Sequence, residues 1–478
     1  MSLSKCHNQR NHNMTSRILN FLLLFALTSC NVNRLYTPPT VETPTQWKTE
    51  ISSCRNDFRQ QYEYWWEAFE DPTLNDLQRQ ALENNYSLQA AYSLVEQAYA
   101  LAQVDRSYYW PQIFFAPSYA KEGSLTQNPI TGDRPGLYRF VQSSYRVPFQ
   151  FSYEVDLWGK YKNLSAASYA RFEASQEAYQ NVLLQLTANI ATSYLKLRTD
   201  DRRIELLNKT ISMRTDALSI NQCRYDSGLI EYIDVVRAKE ELALARAELL
   251  EVEKRRALEE NILAVLVGQP PQTFKIDFNP IRNSTPVIIP VLPSELLCRR
   301  PDLAEAERNI AAAHADIGVA YTEFFPSIKL NAELGFESPF RNSLFEWKSR
   351  LWDFGIDLVQ SVYSGGRNEA NYSYACALYQ EALAEYQESV LNAFKDVEDA
   401  LINLRESEKQ EIELAQATEA SKDIWHLTYA QYDCGYTSYY DVVDAERDLL
   451  ANQLLTIDAL EARFLSTVLL VRALGGGW

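Results

Sequence analysis

The chain repeats itself. Tyr225-Asp226-Ser227-Gly228 recurs as Tyr432-Asp433-Cys434-Gly435, and Asp234-Val235-Val236-x-Ala238 recurs as Asp441-Val442-Val443-x-Ala445, both displaced by 207 residues. Gly159-Lys160 meets Gly366-Arg367 at the same displacement, and Gly268 meets Gly475. Upstream, Ala98, Ala100, Val104, Pro111 and Ile113 match Ala313, Ala315, Val319, Pro326 and Ile328 at a displacement of 215. The first copy thus carries eight extra residues between Pro111 and Gly159, in a loop. Whatever this chain folds into is one scaffold made twice.

Each copy first alternates with period two. Tyr145, Val147, Phe149, Phe151, Tyr153 and Val155 alternate with Arg146, Pro148, Gln150, Ser152, Glu154 and Asp156. Ile328, Leu330, Ala332, Leu334 and Phe336 do the same in the second copy, as do Trp352, Phe354, Ile356 and Leu358. Such segments are strands with one apolar and one polar face. Each is roughly 10 residues, the length a tilted strand needs to cross a bilayer. A half-buried sheet in a soluble protein has the same period. The turn signals near Thr126–Arg139 and Pro339–Trp347 make two hairpins, about 112–156 and 327–362. Four strands cannot close a barrel, which takes about eight at the least, so a membrane reading demands an oligomer; three chains would supply twelve.

The rest follows a seven-residue apolar rhythm: Leu183, Ile190, Leu197, Ile204, Ile211 and Leu218; Leu383, Val390, Val397 and Leu404; Val443, Leu450, Ile457, Phe464 and Val471. That period predicts long helices with a left-handed wrap, or the core stripe of an ordinary bundle. Gly159 to Gly228 and Gly366 to Gly435 are each 69 residues apart. Continuous helix of that length would run roughly 100 Å, against a bilayer core of about 30 Å. A break is expected near residues 405–420, where Glu and Gln are dense.

The N-terminus reads as an address. Met14-Thr-Ser-Arg17 precedes the apolar run Ile18 to Leu27, then Leu27-Thr28-Ser29-Cys30. This is a secretory signal, too short to span as a helix, with either Met1 or Met14 as its start. It looks like a lipobox, and the resemblance implies acylation of Cys30. Asn31 in place of an aspartate implies transport to the outer membrane, by resemblance to bacterial lipoproteins. No later segment reaches 18 consecutive apolar residues. Net charge is −17, which disfavours nucleic acid. The seven cysteines stand singly and the four histidines are isolated, so no metal site or cofactor is expected. Carboxylates lie on helix faces without a partnered histidine or nucleophile, so no enzyme is expected either.

Three segments carry a family resemblance: Trp65-Trp66-Glu67-x-Phe69-x-Asp71-Pro72-x-Leu74, Tyr153-Glu154-x-Asp156-Leu157-Trp158-Gly159-Lys160, and Leu292-Pro293-x-x-Leu296-Leu297-x-Arg299-Arg300-Pro301-Asp302. The chain resembles the TolC-like outer-membrane factors, in particular the lipoprotein branch of RND drug efflux (the OprM/NodT type). The resemblance implies a mainly α protein with a membrane β-barrel. Four strands and long coiled-coil helices per chain would assemble as a homotrimer, with a twelve-stranded barrel and an α-helical periplasmic tunnel. It implies a periplasmic adaptor and an inner-membrane RND pump as partners. Residues 1–29 would be the signal, 30–73 a lipid-anchored segment, 74–268 the first repeat with its helical hairpin at 160–268, 269–301 an equatorial linker, and 302–478 the second repeat with its helical hairpin at 366–475. A duct for type I protein secretion and a non-conducting structural envelope lipoprotein remain alternatives.

Function would sit at the two helix-turn-helix tips. The family's gate-proximal turns carry a tyrosine and aspartates, matched here by Asp234, Tyr432, Asp441 and Asp444. Asp441 and Asp444 share a helix face; Asp441 equally suits a helix start. Some family members carry an arginine two residues past the second tip glycine. Thr437 stands there instead, leaving Tyr432, Tyr439 and Tyr440 to supply hydrogen bonds. Gly228 and Gly435 suit left-handed caps at the tips, and Gly159 and Gly366 suit strand-to-helix joins.

Overall fold

The computed structural model describes residues 36–40, 43–48, 64–127, 137–281, 286 and 293–476. Helices dominate: α1 (Pro72–Asn84), α2 (Tyr86–Ser107), α3 (Lys160–Asp226), α4 (Tyr232–Leu266), α5 (Pro293–Arg299), α6 (Pro301–Thr322), α7 (Arg367–Asp433) and α8 (Tyr439–Ala473). The strands are β1 (Gln112–Phe115), β2 (Ser118–Gln127), β3 (Leu137–Val155), β4 (Ser327–Ser338) and β5 (Arg350–Val359). The duplication is visible in lengths: α3 and α7 are both 67 residues, α4 and α8 both 35. The chain divides into two compact units, 1–39 with 96–173 and 307–384, and 40–95 with 174–306 and 385–478.

The first unit is built on one antiparallel sheet. β3 pairs with β4, and β4 with β5. On the other side of β3 lie both β1 and β2, so the outer strand of the first hairpin is interrupted rather than continuous. The interruption falls at Ala116-Pro117, opposite Pro148, whose carbonyl accepts the Ala116 N–H at 3.2 Å. Prolines cannot donate to a ladder, and they mark such breaks. The register aligns Phe115, Phe149, Leu334 and Trp352 in one row across four strands. These side chains stand 58–72% exposed. The other face is polar and paired: Arg146 reaches Glu333 at 3.1 Å and Glu337 at 3.4 Å, and Lys329 reaches Glu154 at 3.7 Å. This sheet is apolar where it is open and ion-paired on its other face. At the strand-to-helix join, Trp158 stacks on Phe325 at 4.8 Å and donates to the Pro326 carbonyl at 2.8 Å.

The second unit holds the main core. Trp65, Trp66 and Phe69 pack with Leu74, Leu77, Tyr194, Leu197, Leu263, Phe464 and Val471. Asp71 caps α1 by accepting the Thr73 N–H at 2.9 Å, and its other oxygen accepts the Tyr194 hydroxyl at 2.6 Å. That accounts for the Trp-Trp-Glu-x-Phe-x-Asp-Pro motif as a helix start sealed against α3. Two buried aspartates tie the helices together: Asp200 binds Arg203 and half-exposed Arg255, while Asp201 binds Arg198 and Arg256. Arg300 donates to Asp302 at 2.7 Å, to Asp396 at 3.3 Å and to the Ala473 carbonyl at 3.2 Å, holding the last turn of α8.

The break expected at 405–420 is absent, and α7 runs unbroken from Arg367 to Asp433. Glu, Gln, Lys and Ala are strong helix formers, and the polar side chains there are employed rather than strained. Arg463 of α8 pairs with Glu411 at 2.8 Å and Glu408 at 3.3 Å, and Thr418 donates to the Asn452 carbonyl at 3.0 Å. Among the described residues, no helix is long and apolar enough to cross a membrane.

Candidate functional site: the paired helical tips

The two tips are turned by the same chemistry. Gly228 N–H donates to the Tyr225 carbonyl and Leu229 N–H to that of Arg224; Gly435 and Tyr436 repeat both bonds to Tyr432 and Gln431. This is a Schellman closure. It needs a left-handed residue, and φ is +74° at Gly228 and +79° at Gly435. Past each turn one tyrosine ring meets another: Tyr225 with Tyr232 at 5.3 Å, and Tyr432 with Tyr439 at 5.7 Å. The two pairs are related by the 207-residue displacement.

The tips pack on each other. Val442, Val443 and Tyr439 of α8 bury against Ala238 of α4, with Leu218 and Tyr432 alongside. The Arg224 guanidinium lies over the Tyr432 ring at 5.3 Å and reaches Asp433 at 3.6 Å. Burial pushes the Tyr439 hydroxyl up to about 12, so it stays protonated. The Tyr432 hydroxyl is buried and has no hydrogen-bond partner among the described residues.

The aspartates have different surroundings. Asp234, in the first turn of α4, sits 3.8 Å from Arg237, whose guanidinium also lies 5.0 Å from the Tyr440 ring centre. Asp441 closes a capping box with Ser438 and also accepts from the Thr437 hydroxyl. The Thr437 and Ser438 hydrogen bonds hold its carboxyl below the ordinary aspartate value. Asp444 is exposed. Thr437, where the arginine is missing, thus serves the helix start. Gly159 (φ +79°) and Gly366 (φ +85°) stand just before α3 and α7. Cys30 lies outside the described residues.

One element escaped sequence reasoning. Between the tip cluster and a second apolar cluster of Ile204, Leu207, Val252 and Leu450 lies an ionic quartet. Arg214 of α3 binds Glu241 of α4 at 3.2 Å and Glu446 of α8 at 2.9 Å, and Arg447 of α8 also binds Glu241. Arg214 is 5% exposed and Glu241 7%. Its only sequence signal is an arginine interrupting the apolar stripe between Ile211 and Leu218.

Comparison with known proteins is consistent with this architecture. Residues 77–269 and 292–476 match the family described as outer membrane efflux protein. The solvent efflux pump outer membrane protein SrpC of Pseudomonas putida is 32% identical over 413 residues, covering 86% of this chain and 87% of that protein. The probable outer membrane lipoprotein SilC of Salmonella typhimurium is 31% identical over 471 residues, covering 97% and 99%. The solved outer-membrane channel OprN superposes with a TM-score of 0.82 at 27% identity, over 92% of this chain and 99% of that one.

Proposed function

The chain belongs to the outer membrane efflux protein family, and we propose that three copies form a gated exit duct that carries substrates from an inner-membrane pump to the exterior. The outer membrane is its location. The observation that carries the assembly is the registered row Phe115, Phe149, Leu334 and Trp352, open on one face of a sheet whose other face is ion-paired. An exposed apolar sheet face with unpaired edge strands is unstable in water. It becomes stable as the lipid face of a closed barrel, with the polar face lining the lumen. Three four-rank sheets supply the strands a conducting barrel needs.

In this reading Cys30 carries the lipid, residues 30–73 tether the chain, 74–268 and 302–478 are the repeats, and 269–301 is the linker at the equator. The long helices reach inward from the membrane toward an adaptor and an RND-class pump. The paired tips form the constriction, where Asp234, Asp441 and Asp444 with Tyr432 recur once per chain. Rings of carboxylates at a narrow passage attract cations and resist close approach of the tips. Substrate choice is left to the pump. The relatives' names span solvent and cation efflux, which favours small molecules over a secreted protein.

The test is reconstitution of the purified full chain in planar bilayers, alongside unheated gel electrophoresis. Heat-sensitive trimers that open discrete pores support the duct. Monomers without conductance overturn it.

A further inference from the structure

The end of the second hairpin farthest from the helices carries a surface that conduction does not use. β4 begins at Ser327 beside α6 and β5 ends at Val359 before α7, so the connection between Ser338 and Arg350 caps the opposite end. Phe340, Phe345 and Trp347 stand there 70–76% exposed. Interleaved with them are Arg341, Lys348 and Arg350, all exposed. Among the described residues none of these three cations has an ion pair at 4.0 Å or less, in a chain of net charge −17. The carboxylate of Glu337, the nearest on β4, is taken by Arg146 at 3.4 Å, which leaves Glu346 as the acid within the connection. Arg350 lies over the Trp347 ring at 4.7 Å.

The connection is also held in shape. The Ser338 and Ser343 hydroxyls bond at 2.8 Å, the Ser349 hydroxyl donates to the Ser343 carbonyl at 2.6 Å, and the Phe340 N–H donates to the Ser338 hydroxyl at 3.1 Å. Leu344 is buried beneath, and the Phe345 ring meets Phe336 of β4 at 5.8 Å. A fixed surface loses little freedom on binding. Exposed aromatic rings at the end of an apolar strand face mark a membrane–water boundary, and cations beside them attract anionic headgroups.

We propose that residues 340–350 form a docking surface for anionic, phosphate-bearing lipid headgroups in the leaflet away from the helices. Arg341, Lys348 and Arg350 contact the phosphates, while Phe340, Phe345 and Trp347 enter the interface. The proposal rests on the barrel reading, since only then does this end of the sheet meet a bilayer surface.

Native mass spectrometry of the detergent-solubilised full chain, titrated with phosphatidylglycerol or phosphatidylcholine, tests it. The wild type should retain phosphatidylglycerol with roughly tenfold preference, and Arg341→Gln/Lys348→Gln/Arg350→Gln should lose that preference. Arg341→Lys/Arg350→Lys should keep it, which separates charge from misfolding. Equal phosphatidylglycerol retention by wild type and the triple Gln variant overturns the proposal. Displacement of the lipid by equimolar inorganic phosphate overturns it in favour of a small-anion site. The same spectra report the assembly: monomers sink the barrel reading, while trimers indifferent to the substitutions sink only the lipid surface.

Discussion

Thr437 donates its hydroxyl hydrogen to the same Asp441 oxygen that accepts the hydroxyl and the backbone N–H of Ser438. Three donors converge on one carboxylate oxygen, and all of them belong to the turn that starts α8. Asp441 is thereby a structural part of the second tip, whereas exposed Asp444 is the carboxylate on the same face that remains available to ions.

That division predicts different phenotypes for the two acids. In single-channel recordings, Asp444→Asn should weaken block by multivalent cations and leave the tip folded. Asp441→Asn should raise leak by loosening the turn. Asp441→Ala combined with Asp444→Ala should do both; unchanged conductance and block in the double variant would remove the tips from the gate.

A pH dependence follows from the lowered Asp441 value. A carboxyl held low in the folded tip contributes stability that is fully present above the unfolded value, about 3.9, and is lost as pH falls through the depressed folded value. Protection from hydrogen exchange across 436–444, referred to the intrinsic rate at each pH, should therefore hold from neutrality to about pH 4 and fall below it. Asp441→Asn should exchange faster at neutral pH and show no such acid step.

The quartet should respond asymmetrically. Glu241→Ala leaves Arg214, which is 5% exposed, still paired with Glu446 and frees only half-exposed Arg447, so it should cost less than a buried charge stripped of its partner, about 3–5 kcal/mol. Glu241→Ala combined with Glu446→Ala takes both carboxylates from Arg214 and should cost the full amount. Thermal unfolding of the purified protein separates the two variants, and equal losses would mean that packing rather than charge matters here.

Glycines with similar backbone angles should differ in tolerance. Gly228 has open space where a Cβ would sit, so Gly228→Ala should cost only its left-handed conformation, about 1–2 kcal/mol. At Gly475 the same atom would lie 2.8 Å from the Arg299 carbonyl oxygen, and at Gly268 2.5 Å from that of Asn84. Gly475→Ala and Gly268→Ala should therefore lower the unfolding temperature well beyond Gly228→Ala.

Periodic features could be read from the residues alone. The apolar sevens at Ile190, Leu197 and Ile204 do face the core, and the tip glycines do take left-handed angles, because spacing and backbone sterics are local. The polar run at 405–420 was misleading, since its charges find partners on α8 some 50 residues away in sequence. The interruption between β1 and β2 was missed because Pro117 follows a strand too short to show a period. The quartet was invisible for a related reason. Arg214 and Glu446 are 232 residues apart, and a charge on a heptad helix reads as surface until the third helix is placed beside it.

The duplication also frees the two tips to diverge. A duct made from identical half-length chains would have to change every hairpin at once. Here position 230 is isoleucine while its counterpart 437 is threonine, and Arg214 corresponds to Ser421. The first hairpin supplies the buried arginine of the quartet, and the second supplies its hydroxyl-capped turn. In the threefold assembly proposed above, a substitution at one kind of tip would therefore recur at every second hairpin around the ring and not at all of them.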